Sequence, residues 1–456
     1  MIFPKMRMTM IILAAVIVAM PISAHAETLA DALADAYKQN PDLLAKRASL
    51  RATDEGVAAA LSGYRPTVEI SGSAGHSQIH TDTNSGTDKT RDLNPRGAEL
   101  SVTQPVFRGF RTTAAVARAE NDVLAEQSEL RGTEQTVLLD AATAYMDVVR
   151  DRAVLELNKN NQKVLERQLK ATRDRFEVGE LTKTDVAQAE SRMERARAAV
   201  ITAEGVLASS QTKFQKVVGR MPSADLTAPD IWPNLPSSRA EALTLAEKQN
   251  PSVLAADYRE KSARHAVDEV RGEELPEVKL RGSAASDWNK TSSGDQVDSL
   301  SVLAELSIPF YQGGAVMART RAAQQTQNQY LLLRDSAVRS AAQLAGTAFD
   351  DLSTARANID AYNAAIKAAE VALNGVRQEQ EVGSRTILDV LDAEQELLDS
   401  QSNLVRAKRD EIVAAYNLLA AVGQLTAESM KLPVEFYDPE RHLKNSKTKW
   451  YGYSIE

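Results

Sequence analysis

The sequence predicts a mostly α-helical protein with a small β part, built twice on one plan. Three observations support this prediction: short motifs that return at a fixed spacing, two long stretches without proline, and four segments in which apolar and polar residues alternate. Each half should therefore contain, in order, a helix, two strands, a long helix and a shorter helix.

The returning motifs indicate an internal duplication. Lys38–Pro41 recurs with identical residues 210 positions later as Lys248–Pro251. Farther along the chain the spacing is 204 positions, for Pro105 and Pro309, for Val178-Gly179 and Val382-Gly383, and for Val218-Gly219 and Val422-Gly423. A register kept over so many positions predicts two equivalent repeats, 27–237 and 238–456, that share the function between them.

Residues 1–26 have the pattern of a secretory signal peptide. Lys5 and Arg7 precede the apolar run Met10–Met20, and Ala24-His25-Ala26 fits the small-x-small pattern of a cleavage site. The apolar run is too short for a comfortable membrane span, which needs about 20 residues. An uncleaved amino-terminal anchor is the alternative that these residues leave open.

Composition excludes several classes of function. The chain has 456 residues, no cysteine and a formal net charge of −8, which excludes disulfides and makes nucleic acid a poor partner. The sequence contains no phosphate-binding loop and no nucleophile at a sensible spacing from a base, so we expect neither an enzyme nor a cofactor. His76 and His80 are close enough for a metal, but ordinary loop histidines are the simpler interpretation.

The four predicted strands each have one apolar and one polar face, as their strict alternation indicates. Polar segments, His76 to Arg96 and Asp287 to Asp298, should connect them as exposed hairpin loops. The apolar rows are Val68, Ile70, Gly72 and Ala74; Ala98, Leu100 and Val102; Val278, Leu280, Gly282 and Ala284; and Leu300, Val302, Ala304, Leu306 and Ile308.

An apolar sheet face could lie on a core, but the rest of the chain is helix and offers no spare apolar layer. The wall of a lipid-facing barrel shows the same alternation. Four strands cannot close a barrel, which takes about eight, and open edges in lipid cost several kcal/mol for each unpaired group. If the strands are in a membrane, the chain must therefore pool them with other copies, and three copies would give a 12-stranded transmembrane β-barrel with four strands per chain.

The helices are long enough to continue this barrel as a hollow α-helical barrel. No proline occurs in the two windows 106–221 and 310–432, and the long helix in each window should measure about 100 Å. A shorter helix placed end to end with an opening helix would match that length. The predicted helices are Thr28 to Ser62, Gly109 to Glu177, Thr182 to Val218, Arg239 to Gly272, Gly313 to Glu381 and Thr386 to Val422.

The interruptions between these helices should lie at mid-length, where a proline-rich belt could pack on the outside. They comprise Gly219 to Ser237 and the chain from Gly423 onward. The carboxy-terminal segment is predicted to be a flexible tail on this belt. Its basic residues are Arg441, Lys444, Lys447 and Lys449, ahead of Trp450.

The residues resemble the TolC family of outer-membrane factors over nearly the whole mature chain. The resemblance lies in the Asn-Pro of each opening helix, the strand end Ile308–Gly314 and the paired turns at Val178-Gly179 and Val382-Gly383. It implies a homotrimeric exit duct that spans the outer membrane, contacts its lipid and projects into the periplasm. It also implies that a periplasmic adaptor and an inner-membrane pump of the RND or ABC type recruit the duct, for efflux of drugs and toxic compounds or for type I secretion of proteins.

The glycine in each of the two turns can be explained by the backbone geometry that a helix reversal requires. Gly179 and Gly383 permit the backbone bend that reverses a helix without a clash at Cβ. An ordinary turn between helices would explain either one alone, but matching positions in both halves define one end of the helical barrel. The resemblance implies that these tips, which include Val178 and Val382, contact the adaptor.

The resemblance also implies a periplasmic gate at this end. Carried over residue by residue, the gate comprises Thr184, Asp185, Gln380 and Arg385, with Arg385 bonded toward Thr184 and Asp185 in the closed state. Gln380 stands where the family often has an aromatic partner. A gate built on glutamine should have fewer packing contacts.

Asp389 and Asp392 lie three residues apart and therefore on one face of a helix. A solvated helix surface is the ordinary interpretation of two such carboxylates. Three chains would bring six of them to one constriction, where mutual repulsion should raise some of their pKa values and cations should be attracted. We therefore expect a selectivity ring that also binds multivalent cations.

Two other classes of protein share parts of this pattern. A periplasmic adaptor also has a helical hairpin, but only one, framed by small barrel domains. A secreted coiled-coil structural protein would have the long helices without needing four amphipathic strands.

Overall fold

A four-stranded sheet stands at one end of a body of long helices. The computed structural model describes residues 27–81, 89–227, 229 and 235–454, so the predicted signal peptide lies outside the described residues. The helices are α1 (Leu29–Gln39), α2 (Pro41–Leu61), α3 (Arg111–Glu177), α4 (Lys183–Val218), α5 (Arg239–Gln249), α6 (Pro251–Arg271), α7 (Ala315–Glu381), α8 (Ile387–Ala421) and α9 (Glu440–Thr448). The strands are β1 (Thr67–Ala74), β2 (Ser77–Thr81), β3 (Lys89–Leu93), β4 (Arg96–Arg108), β5 (Glu277–Trp288) and β6 (Gln296–Ser307).

Long helices dominate the chain, as predicted. Helices α3 and α7 have 67 residues each, which makes each about 100 Å long. Helices α4 and α8 turn back along them with 36 and 35 residues. The predicted limits of these four helices agree with the structure to within two residues, which confirms a mostly α fold with four sheet strands per chain.

The four main strands form one antiparallel sheet in the order β1-β4-β5-β6. Its register places the predicted apolar rows on a single face: Val68 lies opposite Val102, Val102 opposite Gly282, and Gly282 opposite Val302. Strand β4 accommodates a proline near its end through a bulge between Pro105 and Phe107. The polar residues necessarily share the other face because successive side chains of a strand alternate.

The segment from His76 to Arg96 is more regular than the predicted exposed loop. Strands β2 and β3 pair within it, from Ser77 opposite Leu93 to Thr81 opposite Lys89, and residues 82–88 between them lie outside the described residues. The segment is largely exposed, as predicted, but its polar composition hid a ribbon whose backbone groups pair with each other. The second segment is a short turn, 289–295, with Asn289 and Gly294 at positive φ, and it agrees with the prediction.

Each opening helix is broken at its Asn-Pro, where the sequence predicted a continuous helix. Asn40 and Asn250 are extended, with ψ of 123° and 126°, as the residue before a proline prefers to be. The Asn250 side chain accepts a hydrogen bond from Ser252 N (2.9 Å) and so caps α6. Its amide also donates to the carbonyl of Ala421 (2.9 Å) at the end of α8, and Asn40 does the same with Val217.

The two asparagines therefore join the start of one helix to the end of another. This arrangement places α2 after α4 and α6 after α8, so that each pair runs beside a long helix, as predicted. Gly423, at φ +82°, completes the junction, since a Cβ there would lie 2.3 Å from the carbonyl oxygen of Gln249.

Replacing Asn250 with alanine should lower the free energy of unfolding by about 1–2 kcal/mol, because the cap of α6 and a buried partner of Ala421 are lost together. Denaturant unfolding of the purified protein, followed by circular dichroism, measures this change. Asn160→Ala, at an exposed position on α3, is the matched control. Equal stability of the two variants would contradict the joining role of Asn250.

The hydrophobic core lies at mid-length, where α1, α3, α4 and α8 meet the belt. Tyr145 and Phe214 are fully buried there, with ring centroids 6.4 Å apart. The Tyr145 hydroxyl lies 2.7 Å from the carbonyl oxygens of both Glu27 and Thr227. This contact ties the start of the described chain and the belt segment to the middle of α3.

A buried carboxylate links both halves of the chain at the same level. Asp147 on α3 forms ion pairs with Arg150 (3.1 Å), with Lys213 on α4 (3.2 Å) and with Arg409 on α8 (2.8 Å). Three cations around one buried carboxylate offset the cost of removing it from water.

The carboxy-terminal segment is an ordered helix, and the prediction of a flexible tail was wrong. Helix α9 packs on α2, and His442 Nδ1 lies 3.0 Å from the buried carboxylate of Asp54. Burial raises the pKa of Asp54, an effect that the hydrogen bond to His442 partly offsets. The basic composition of α9 concealed its packing, since Ser446 is the single buried residue of this helix.

Candidate functional site: the conduction pathway

The sheet presents a broad apolar face that this chain leaves exposed. Ile70 on one edge strand and Leu300 on the other are 80% and 84% exposed. A contiguous apolar face of this size marks an interaction with protein or membrane. Lipid suits it best, because apolar residues alternate with polar ones along all four strands, as in membrane barrels.

The opposite face is mainly polar, and two ion pairs join neighbouring strands across it. Lys279 on β5 lies 3.0 Å from Glu305 on β6, and Arg281 lies 3.5 Å from Glu99 on β4. The hydroxyls of Ser283 and Ser301 are 2.8 Å apart. Charges balanced in this way suit the wall of a water-filled lumen.

The sheet is open at both edges within the described residues. Strand β1 pairs only with β4 and strand β6 only with β5, so one side of each lacks a strand from the same chain. Backbone groups left unpaired in lipid cost several kcal/mol each. In lipid, the two edges would therefore need partner strands from outside this chain.

The two helical tips at the far end follow the sequence prediction in their backbone. Gly179 and Gly383 adopt φ of +83° and +79°, which an L side chain would strain. Val178 and Val382 beside them are exposed. The helices that follow each begin with a reciprocal capping box, Thr182 with Asp185 and Thr386 with Asp389.

The predicted gate residues lie at these tips, but one chain does not join them. Arg385 donates to Glu379 (3.0 Å) and lies 3.8 Å from Asp389, whereas Asp185 accepts from Thr182. Thr184 is exposed and Gln380 is half-buried. The bond from Arg385 toward Thr184 and Asp185 stays a prediction for the assembled protein.

Both predicted ring carboxylates have partners within the chain. Hydrogen bonds from the Thr386 hydroxyl and backbone N–H lower the pKa of Asp389 below its usual range. Asp392 pairs with Arg192 on α4. The structure thus supplies interactions that oppose the repulsion expected from six converging carboxylates.

Two equivalent ion pairs at the tips were not predicted from the sequence. Arg173 pairs with Glu190 at 3.2 Å and Arg377 pairs with Glu394 at 2.9 Å, each bridging the two helices of a hairpin. Both partners recur at the 204-residue spacing. The duplication therefore indicates that these charges are repeated in both halves, although it does not show that they are in contact.

Two further features of the described chain bear on function. None of its helices combines the length and the apolar character needed to cross a membrane. Within the same residues, no group of three or more histidines and carboxylates is placed to hold a metal. The rings of His76 and His80 instead contact Asn94 (3.1 Å) and Thr90 (2.9 Å).

Fold and site together define a channel-forming membrane protein, with an amphipathic sheet for the bilayer and long hairpins that extend away from it. The sequence profile of the family described as "Outer membrane efflux protein" matches residues 32–220 and again residues 242–424. The chain belongs to this family.

Individual relatives agree with the assignment. The chain is 37% identical to the outer membrane efflux protein BepC of Brucella suis, over 94% of this chain and 92% of the relative. It is 27% identical to the outer membrane protein TolC of Vibrio cholerae, over 89% of this chain and 92% of the relative. The crystal structure of the CmeC outer membrane channel of Campylobacter jejuni superposes with a TM-score of 0.79, covering 92% of this chain and 89% of that one at 14% identity, and this likeness shows the fold.

The protein is therefore an outer-membrane exit duct of an efflux or type I secretion system, and the predicted family, location and function are confirmed. The family is one of channels rather than of enzymes. Membership of the family excludes the two alternatives, a periplasmic adaptor and a secreted coiled-coil protein.

Proposed function

We propose that three copies of the chain form one duct, with a 12-stranded β-barrel in the outer membrane and a helical barrel in the periplasm. The observation that supports this most directly is the open amphipathic sheet, whose edges β1 and β6 can pair between copies. The two repeats, 27–237 and 238–456, would then be equivalent segments of the wall. Four strands from each of three copies exceed the minimum that closes a barrel.

The duct conducts passively and takes its energy from partners. The sequence has no phosphate-binding loop, so an inner-membrane pump of the RND or ABC type would drive export. A periplasmic adaptor would dock at the helical tips, where Val178, Gly179, Val382 and Gly383 expose an apolar surface. The efflux role of the relative BepC favours drugs and toxic compounds as cargo.

A deletion strain tests this proposal. Loss of the gene should raise the accumulation of a fluorescent efflux dye, and the full-length chain expressed from a plasmid should restore export. Cross-linking of the purified protein should yield trimers. Unchanged dye accumulation together with missing secreted proteins would assign the duct to type I secretion, and no change in either would contradict the proposed transport role.

The proposed gate leads to a separate prediction about Arg385. Arg385→Ser removes a cation that pairs with Glu379 and Asp389 in one chain, and that would reach Thr184 and Asp185 of the assembled gate. We expect a several-fold higher single-channel conductance in planar bilayers, because a charged contact closing the mouth is lost.

Arg175→Ser is the matched control, since Arg175 forms a 3.0 Å ion pair with Glu180 at the other tip but is not a gate residue. A conductance of the Arg385 variant equal to that of the wild type would remove Arg385 from the gate. Equal increases in both variants would show a general loosening of the tips.

A further inference from the structure

The last described residues lie beside the start of the sheet. Helix α9 runs along α2 in the same direction, as three contacts show: Tyr437 with Tyr37 (3.1 Å), His442 with Asp54 (3.0 Å), and Lys449 with Arg65 (2.8 Å). Because β1 begins only two residues after Arg65, the end of α9 reaches the junction between helices and sheet.

Arg65 holds the end of α9 in place. Its guanidinium donates to the carbonyl oxygens of Lys447 (3.2 Å) and Lys449 (2.8 Å), which are among the groups that a helix leaves unsatisfied at its carboxyl end. The same guanidinium lies 4.8 Å from the centroid of the Trp450 ring. Lys447 adds an ion pair with Glu120 on α3 (2.8 Å). The position of Trp450 relative to β1 is therefore determined by several independent contacts.

Three aromatic side chains follow within four residues, and the described chain leaves them exposed. Trp450 and Tyr451 are 67% and 94% exposed, and Tyr453 is fully exposed. Only 5% of the residues in this protein are aromatic, so the cluster is not an effect of composition. Rings with an apolar body and a polar tip concentrate at the level of lipid headgroups in membrane proteins.

We propose that residues 450–453 insert into the headgroup layer of the periplasmic leaflet of the outer membrane and anchor the belt helix α9 to the bilayer. Phospholipid is the partner that the surroundings favour. The apolar row of β1 begins at Val68, three residues beyond Arg65, so the cluster lies near the end of the face that would contact lipid. The guanidinium of Arg65 adds positive charge beside the cluster, which suits the phosphates of phospholipids.

The anchor is distinct from the transport proposal. The anchor requires the sheet to lie in the outer membrane. It does not depend on whether the duct exports drugs or proteins, or on which pump drives export. Its physical effect would be to hold the mid-length belt at a fixed distance from the membrane, through α9 as a short rigid link. A second copy of the chain could cover the same rings instead. In that case the rings would be shielded from lipid, which distinguishes the two partners.

Fluorescence of Trp450 tests the proposal in the full-length protein. The chain has three tryptophans, so Trp232→Phe with Trp288→Phe leaves Trp450 as the only indole. The protein is reconstituted in phosphatidylcholine vesicles whose acyl chains are brominated either next to the headgroup or near the bilayer centre. We expect a loss of Trp450 emission that is clearly larger for bromine next to the headgroup.

A matched probe controls for collisions with the vesicle surface. Lys444→Trp, made together with Trp450→Phe in the same background, places the indole on an exposed position of α9 farther from the sheet. This probe should be quenched by acrylamide in water and unaffected by brominated lipid. If the background does not fold, the difference in emission between the wild type and Trp450→Phe gives the same comparison.

Two results would overturn the anchor. Quenching of Trp450 by acrylamide but not by brominated lipid would place the cluster in water. Protection from both quenchers would place it against another copy of the chain.

Discussion

Channels carrying Asp389→Asn together with Asp392→Asn should lose their block by trivalent cations, with an apparent affinity lower by about tenfold or more, or about 1.4 kcal/mol. Three chains would remove six negative charges from one constriction, where they attract cations most strongly. Asparagine is the appropriate replacement because Asp389 caps α8 through Thr386, and an amide oxygen can still accept those hydrogen bonds.

Planar-bilayer recordings with a trivalent cobalt complex on the periplasmic side measure the block. Asp360→Asn, an exposed carboxylate on α7 far from the tips, is the matched control and should be blocked like the wild type. Block and cation selectivity that both persist in the double variant would place the filter elsewhere in the duct.

The pH dependence of the block separates two opposing effects. The hydrogen bonds from Thr386 lower the pKa of Asp389, so its charge should be lost only when the pH falls below the usual range of aspartate. Block would then persist at about pH 5. Repulsion among six carboxylates acts in the other direction and would abolish the block at a higher pH. The midpoint of the titration shows which effect is larger in the assembled ring.

The second large effect is expected at Asp147. Asp147→Asn should lower the free energy of unfolding by about 2–3 kcal/mol, because it leaves Arg150, Lys213 and Arg409 without their shared buried carboxylate. This loss of stability is smaller than the loss expected for a fully buried ion pair, because the three cations keep some access to water. Denaturant unfolding of the purified protein measures it.

Asp410→Asn provides the matched control, since Asp410 is exposed and lies 2.9 Å from Arg409. This variant should change stability by less than about 1 kcal/mol, as exposed ion pairs do. Similar losses in the two variants would show that Asp147 acts as an ordinary surface charge and does not join the two halves.

Sequence patterns were most informative where structure repeats at short range. The alternation in β4, the uninterrupted helical stretches and the glycines at 179 and 383 each express a preference of the local backbone. The Asn-Pro pairs also contained a local signal, since asparagine followed by proline is a common helix start. The prediction of continuous opening helices did not take this signal into account.

Contacts between distant parts of the chain were not predictable in the same way. Helix α9 has few buried positions, and its partner Asp54 lies almost 400 residues earlier. Arg385 contacts Glu379 and Asp389 within its own tip, although the resemblance implied a bond to the opposite tip. Many carboxylates lie within reach of a long arginine side chain, and their spacing along the chain does not rank them.

The sequence by itself determined the duplicated plan, the two faces of the sheet and the length of the helices, because period and register are properties of neighbouring residues. Only the tertiary structure decided that Asn40 and Asn250 join separate helices end to end, and that Asp147 pairs with cations from three helices. It also decided that α9 places the aromatic residues that follow it near the start of β1. Each of these depends on which distant side chains meet, and that is set by the packing of the whole chain.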